Sequence, residues 1–323
     1  MTEMSQVMVG RSSAIQAVRD MVEKVAPTDA TVLISGESGS GKELVAQAIH
    51  ARSPRGGGPF LGINCGALAP TLIESELFGF ERGSFTGASR SHAGVVERAS
   101  GGTLFLDEVT EMSADMQTRL LRFLETQRYF RVGGSQELRT DVRVVAATNR
   151  SPVQAVREGA MREDLLYRLA VFPISLAPLR ERGDDVVLLA EHFLDDLNLR
   201  HGRSKRFGAA ARRTLREYNW PGNVRELKNA IERAFILCEQ ELELQPMHVH
   251  PAANEHSVRT DSEGGIQVPI GSSLAQAERW LIEATLAHWA GNKNRAARTL
   301  GCSLKTLYNK LAAYERQGIG AQA

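Results

Sequence analysis

Residues 36–42 read Gly-Glu-Ser-Gly-Ser-Gly-Lys, between a β-branched apolar run at 31–35 and a helical pattern at 43–51. Three glycines and a lysine in a strand–loop–helix setting restrict the chain to a small set of α/β folds. The reason is mechanical. Only residues without a Cβ let the loop wrap closely enough for successive backbone N–H groups to face one anion, and the following helix adds the positive end of its dipole. Gly36, Glu37, Ser38, Gly39, Ser40, Gly41 and Lys42 are therefore candidate phosphate-binding residues, with Lys42 neutralising β- and γ-phosphate charge. A bland Gly-rich turn would not need the lysine or these flanks. Glu43 departs from the general pattern, since a Ser or Thr there normally offers Mg²⁺ a hydroxyl.

A second motif supplies the acids such a site needs. Residues 102–108, Gly-Thr-Leu-Phe-Leu-Asp-Glu, form an apolar strand ending in two carboxylates, at the sheet edge where α/β proteins bind ligands. Asp107 is the candidate magnesium ligand, directly or through water, and Glu108 the candidate base for an attacking water. Alone, two acids would more simply begin a surface loop. A third strand, 142–147, ends in Thr148 and Asn149, which either sense a γ-phosphate and hold the water or merely cap the strand. Arg162 and Arg168 lie six residues apart and cannot face one point on a straight helix. Two readings stand for them: solvated surface arginines, or arginine fingers reaching a neighbouring subunit's γ-phosphate.

Around these motifs, helical patterns at 14–24, 43–51 and 115–125 alternate with the strands, which predicts an α/β core with a parallel sheet over residues 1–172. After Pro173 the pattern turns amphipathic and helical (186–199, 208–218, 224–237), which predicts an all-α domain at 173–250. Residues 251–270 are polar, contain Pro and Gly, and lack an apolar period, as a linker would. The 323 residues suffice for two or three domains. Cys65, Cys238 and Cys302 are odd in number and scattered, which argues against a disulfide framework or a zinc site and points to a reducing cytoplasm. Neither a signal peptide nor an apolar run long enough to span a membrane is visible.

Net charge is only +1 over the whole chain, so a nucleic-acid surface has to be local. Residues 271–323 carry seven basic and three acidic side chains. Helical patterns at 274–290, 294–300 and 304–314, with a Gly-containing turn between the last two, make a helix-turn-helix. Ser303 is its expected N-cap. Arg295, Arg298, Ser303, Lys305, Thr306, Tyr308, Asn309 and Lys310 are the candidate DNA contacts. A dimerising bundle with a solvated basic face is the competing reading.

Residues 76–88, Glu-Leu-Phe-Gly-Phe-Glu-Arg-Gly-Ser-Phe-Thr-Gly-Ala, carry the most specific likeness in the chain. They resemble the GAFTGA loop of the sigma-54-dependent activators, AAA+ proteins also called bacterial enhancer-binding proteins, with Ser84 replacing the first alanine. The resemblance covers nearly the whole length. It implies an AAA+ P-loop NTPase core, an all-α lid subdomain and a C-terminal Fis-type helix-turn-helix. Gly83, Ser84, Phe85, Thr86, Gly87 and Ala88 would then touch sigma-54, with Phe85 as an exposed aromatic anchor among small residues. The resemblance also implies a phosphate loop that usually ends in Lys-Glu, which accounts for Glu43. Asn64 matches the family's switch asparagine, and the likeness implies that it holds Glu108. Residues 220–227, Trp-Pro-Gly-Asn-Val-Arg-Glu-Leu, resemble the lid motif, with Asn223 as a helix N-cap and Arg225 as a second nucleotide sensor. Val9 and Gly10 resemble the segment bordering the adenine.

The expected activity is ATP hydrolysis with Mg²⁺, driving RNA polymerase bound through sigma-54 from a closed to an open promoter complex while the tail holds enhancer DNA. Self-association is expected as a nucleotide-dependent hexamer, with dimerisation through the tail. Because only 35 residues precede Gly36, control by a separate inhibitory regulator or by expression level is also expected. Competing readings are a different AAA+ machine, such as a helicase loader or unfoldase, and a DNA-binding regulator with a silent ATPase.

Overall fold

Five strands, Val32–Ser35, Phe60–Asn64, Thr103–Asp107, Arg143–Thr148 and Phe172–Ser175, form one sheet in the spatial order 60–64, 103–107, 143–148, 32–35, 172–175. Every neighbouring pair is parallel. The central strands are almost wholly buried, with apolar middles at 104–106 and 144–147, because both faces are covered, as parallel sheets require. Side chains alternate between two cores. Leu33, Leu104, Leu106, Val144 and Ala146 join one cluster, while Val32, Ile34, Phe105, Val145 and Ala147 join the other. Register places Ser35 opposite both Thr148 and Ser175, and Asn64 opposite Asp107, so the motif-bearing ends share one edge of the sheet. The computed structural model describes residues 8–67, 70–85, 90–245, 274–289 and 292–319.

Two of the five strands lack the apolar pattern that marks the other three. Phe60–Asn64 interrupts its apolar run with Gly62 and ends in a polar residue. Phe172–Ser175 contains Pro173 and extends past the expected end of the core at 172. Among the described residues it pairs only with Val32–Ser35, and proline is tolerated at such an edge because one side of the strand needs no ladder donor.

One charged residue belongs to the core itself. Arg143 is 2% exposed, and its guanidinium donates to the carbonyls of Ala26 (2.9 Å), Val25 (2.8 Å) and Ala30 (3.4 Å). These lie at and just beyond the C-terminus of the helix Ser13–Val25, where backbone acceptors run out of partners and the helix dipole favours a cation. Burial lowers its pKa, against the attraction of Asp29. Arg143→Met roughly keeps the volume but takes the donor from the Ala26 and Ala30 carbonyls, while the Val25 carbonyl keeps its bonds from Thr28. It is expected to destabilise folding by about 2–4 kcal/mol, read as a lower urea midpoint at unchanged m-value.

The described residues fall into two compact units, within 1–247 and 248–323. In the first unit, the helices Asp185–His201, Ala209–Glu217 and Asn223–Leu237 gather around their own core, which includes Leu189, Leu194, Trp220, Leu227 and Ile231. Buried Trp220 donates its indole N–H to the Leu215 carbonyl at 3.2 Å. Residues 246–250 of the expected lid and all of the 251–270 segment lie outside the described residues. In the second unit, the helices Leu274–His288, Lys293–Thr299 and Leu304–Ile319 pack on Ile282, Ala296, Ala297 and Leu307. Among the described residues no helix is long and apolar enough to cross a membrane.

Candidate functional site

The loop at 36–42 leaves Val32–Ser35 and runs directly into the helix Lys42–Ala51. Gly39 has φ +74°, and a Cβ there would collide with the Gly222 carbonyl, so the lid approaches the loop as closely as backbone permits. Lys42 is buried and donates to the carbonyls of Gly36 (2.7 Å) and Glu37 (3.1 Å). Burial lowers its pKa, Asp107 and Glu108 pull it back up, and Arg225 pushes it down. Ser38, Gly39, Gly41, Lys42, Glu43, Asp107, Glu108 and Arg225 line a single cleft. An apolar pocket beside it is walled by Met8, Val9, Leu44, Leu176, Phe193 and Val224. The buried Ser40 hydroxyl lines that pocket and has no hydrogen-bond partner among the described residues. Gly10 does not line it. Its carbonyl accepts from Arg19 at 2.9 Å, and the neighbouring Arg11 N–H and Ser12 hydroxyl bind Asp185.

The two acids behave differently. Asp107 ends its strand and accepts from the Glu108 backbone N–H at 3.1 Å and from the Asn64 amide at 3.3 Å. Asn64 therefore holds Asp107, not Glu108 as the resemblance implied. The reason is register: Asn64 and Asp107 are direct partners across the parallel pair, while Glu108 turns away in the left-handed region at φ 54°. Glu108 instead meets the Asn149 amide at 3.5 Å, a long hydrogen bond. A Cβ on Gly66 would lie 2.8 Å from the Glu108 carboxylate, so the glycine leaves that carboxylate its room. Thr148 is fully buried, and its hydroxyl bonds to Thr110 (3.1 Å) and accepts from the Arg150 N–H (3.1 Å), a placement internal to the sheet end. Cys65, behind the acids, has its thiol pKa pushed up by burial first and by Asp107 and Glu108 next.

The lid contributes what sequence spacing did not show. His192, Phe193, Asp196 and Lys228 line the same cleft, brought there by the packing of two helices. Arg225 Nη1 donates to the Ser38 hydroxyl at 3.0 Å. Asn223 is not an N-cap: it lies inside the helix start at φ 53°, fully buried, with its side-chain oxygen accepting from Leu179 N–H at 2.8 Å. A cap faces its own helix, whereas this amide faces the phosphate loop. The two arginine candidates lie elsewhere on the core. Arg162 precedes the helix Glu163–Leu169, exposed and paired with Asp164 at 2.7 Å, and Arg168 donates to the Leu124 carbonyl at 3.0 Å.

Next to the core, Gly79–Phe80 and His92–Ala93 pair antiparallel and carry the segment around Phe85. Gly83, Ser84 and Phe85 are described, while Thr86, Gly87 and Ala88 lie outside the described residues. Phe85 is 45% exposed, with its ring 5.0 Å from Phe80, which in turn stacks on His92. A second hairpin, Arg128–Phe130 with Glu137–Arg139, locks the base: Val132 exchanges backbone hydrogen bonds with Gly79 and Glu81, and Arg131 pairs with Glu81 and Glu97 at 2.9 Å each.

In the second unit, Ser303 caps the last helix, its hydroxyl accepting from Thr306 N–H at 3.1 Å. Lys305, Thr306, Tyr308 and Asn309 are exposed on that helix, and Arg295 and Arg298 on the one before it. Lys293 stands over the Tyr308 ring and Arg295 over Trp289. Lys310 differs from this group, since it pairs with Glu278 at 2.7 Å and ties the first helix to the third.

Comparison with known proteins places these features together. Residues 8–175 match the model of the sigma-54 interaction domain, residues 180–265 that of an AAA+ ATPase lid domain, and residues 273–314 that of the Fis family of bacterial regulatory proteins. The chain is 43% identical to the transcriptional regulatory protein FlbD of Caulobacter vibrioides over 98% of its own length and 72% of that protein. It is 44% identical to the nitrogen fixation protein AnfA of Azotobacter vinelandii, covering 95% of this chain but only 57% of the relative. It is 45% identical to the transcriptional regulatory protein ZraR of Salmonella typhimurium over 94% of this chain and 68% of that one. Among solved structures, NtrX from Brucella abortus in complex with ADP is similar at a TM-score of 0.68 and 34% identity, covering 95% of this chain and 68% of that one. The same protein has been solved in complex with ATP, similar at a TM-score of 0.67.

Proposed function

Because the chain belongs to the AAA+ regulators defined by the sigma-54 interaction domain, we propose that it binds and hydrolyses ATP and uses the energy to remodel sigma-54 RNA polymerase from the closed to the open promoter complex. The observation that carries this reading is one unit holding both a phosphate cleft with paired acids and a braced hairpin presenting Phe85. The loop N–H groups and Lys42 hold the phosphates, the apolar pocket takes the base, and Arg225 covers the phosphates from the lid. Glu108, free of Asn64, orients and deprotonates the attacking water with Asn149 beside it. Arg162 or Arg168 of one subunit reaches the phosphates of the next in a ring, which we take to be a hexamer.

Mg²⁺ fits this donor set as a nucleotide-borne ion. Among the described residues no cluster of three metal-ligating side chains forms a cage, and Asp107 offers the single carboxylate that Mg²⁺ commonly takes beside phosphate oxygens. When bound it neutralises phosphate charge. The basic tail binds enhancer DNA as a dimer in the cytoplasm, through Arg295, Arg298, Lys305, Thr306, Tyr308 and Asn309 rather than the internally paired Lys310.

Purified sigma-54 is expected to be captured by this protein with ADP–aluminium fluoride and not with ADP alone. Capture in no nucleotide state, with ATPase intact, would leave an ATPase acting on another client and overturn the sigma-54 reading.

A further inference from the structure

The second residue of the phosphate loop is an acid, which is the wrong charge to face a nucleotide. The structure shows where that charge goes. The Glu37 carboxylate accepts from both Arg180 Nη atoms, at 2.6 and 2.9 Å, in the bidentate geometry that suits a guanidinium. It also accepts from the Asn223 amide at 3.1 Å, and the same amide reaches the Ser38 carbonyl at 3.1 Å. Arg180 lies in the short helix Leu179–Glu181, where the chain passes from the sheet into the lid, and Asn223 opens the lid helix that bears Arg225. Two separate points of the lid thus converge on one carboxylate of the loop.

We propose that Glu37 is a positioning residue rather than a phosphate ligand: with Arg180 and Asn223 it forms a latch that sets the lid against the phosphate loop and thereby holds Arg225 over bound nucleotide. This rests on the nucleotide-binding reading above. The two halves of the latch divide the work by burial. Asn223 is fully buried and satisfies the Leu179 backbone, so it is structural to the lid's attachment. The Glu37–Arg180 pair is part exposed on both sides, so water can replace it without unfolding the site. Opening that pair leaves the buried ties of Asn223 to Ser38, Val224 to Gly39 and Arg182 to Ser40, so the lid loosens without detaching and nucleotide leaves faster. Acid is expected to act in the same direction, since Arg180 first and Asn223 after it hold the Glu37 carboxyl below its usual range.

The test uses the full chain and a fluorescent ATP analogue, comparing Glu37→Gln, Arg180→Ala, Arg180→Lys and the double variant Glu37→Gln/Arg180→Ala. Arg180→Ala is expected to release the analogue about tenfold faster and to raise KM for ATP by a similar factor, with kcat changed less than about threefold, the loss expected when a charged hydrogen-bonded pair opens. Arg180→Lys is expected to recover part of this. The double variant is expected to release no faster than the worse single one, because both changes open one latch. Unaltered release with a lowered melting temperature would show a merely structural pair and overturn the proposal, and so would additive effects in the double variant. Failure of the unaltered protein to bind either ATP or the analogue would instead overturn the nucleotide reading itself, and the latch with it.

Discussion

Glu108→Gln is expected to bind ATP within about threefold of the unaltered affinity and to hydrolyse it at least a hundredfold more slowly, the order of magnitude a positioned general base contributes. The geometry sets this expectation. Glu108 lies one residue beyond its strand in the left-handed region, so its carboxylate leaves the strand line and faces the cleft beside Lys42. Its one side-chain hydrogen bond among the described residues is the long one from Asn149. An amide of the same shape keeps that contact and adds no clash with Gly66, but cannot take a proton from water. Lys42→Ala is the necessary contrast. Lys42 is buried beneath the loop and bonded to two of its carbonyls, so its loss removes the cation and loosens the loop together. ATP affinity is then expected to fall at least about thirtyfold, the loss of a charge-assisted contact to phosphate. Equilibrium binding of labelled ATP and single-turnover hydrolysis separate the two roles. Equal loss of binding and hydrolysis in both variants would mean that Glu108 and Lys42 are misassigned.

Where residues adjacent in the chain do the chemistry, the chain alone shows it. The phosphate loop and the pair Asp107 and Glu108 are local motifs, and each strand before them is apolar because it is buried on both sides. Legibility ends where position depends on pairing. Which carboxylate Asn64 touches is decided by a register between two strands 39 residues apart at their nearest ends, and nothing in the spacing encodes it. The strands Phe60–Asn64 and Phe172–Ser175 were hidden because they are the sheet's edges, where Gly62 and Pro173 are tolerated and the apolar pattern relaxes. The lid residues His192, Asp196 and Lys228 carry no signature at all, since a polar residue on an amphipathic helix reads as solvated surface until the helix is placed over the cleft. Asn223 shows the opposite failure. Its setting after Pro-Gly looks like a cap, and tertiary demand from the phosphate loop overrides the local preference.

Phe85→Ala is expected to leave ATP hydrolysis within about twofold of the unaltered rate and to abolish productive engagement of sigma-54. Two physical facts separate these effects. Among the described residues, none that lines the nucleotide cleft belongs to 79–85 or to 90–93, so deleting the ring alters no described contact to the phosphate loop or to the acids. The base of the hairpin does not depend on Phe85 either, because Arg131 holds Glu81 and Glu97 and Val132 bridges Gly79 and Glu81 through the backbone. The ring itself is different. It is 45% exposed and rests on Phe80, which presents a preorganised aromatic face whose ordering is already met before a partner arrives. A central aromatic anchor of this kind commonly contributes about 2 kcal/mol or more to an interface, a loss of roughly thirtyfold or more in affinity. Capture of sigma-54 in the ADP–aluminium fluoride state and open-complex formation on a supercoiled promoter read the two effects side by side with phosphate release. Undiminished open-complex formation would refute the anchor role of Phe85. A parallel collapse of hydrolysis would show instead that the hairpin and the cleft are one mechanical unit, with the ring buttressing the sheet rather than meeting a partner.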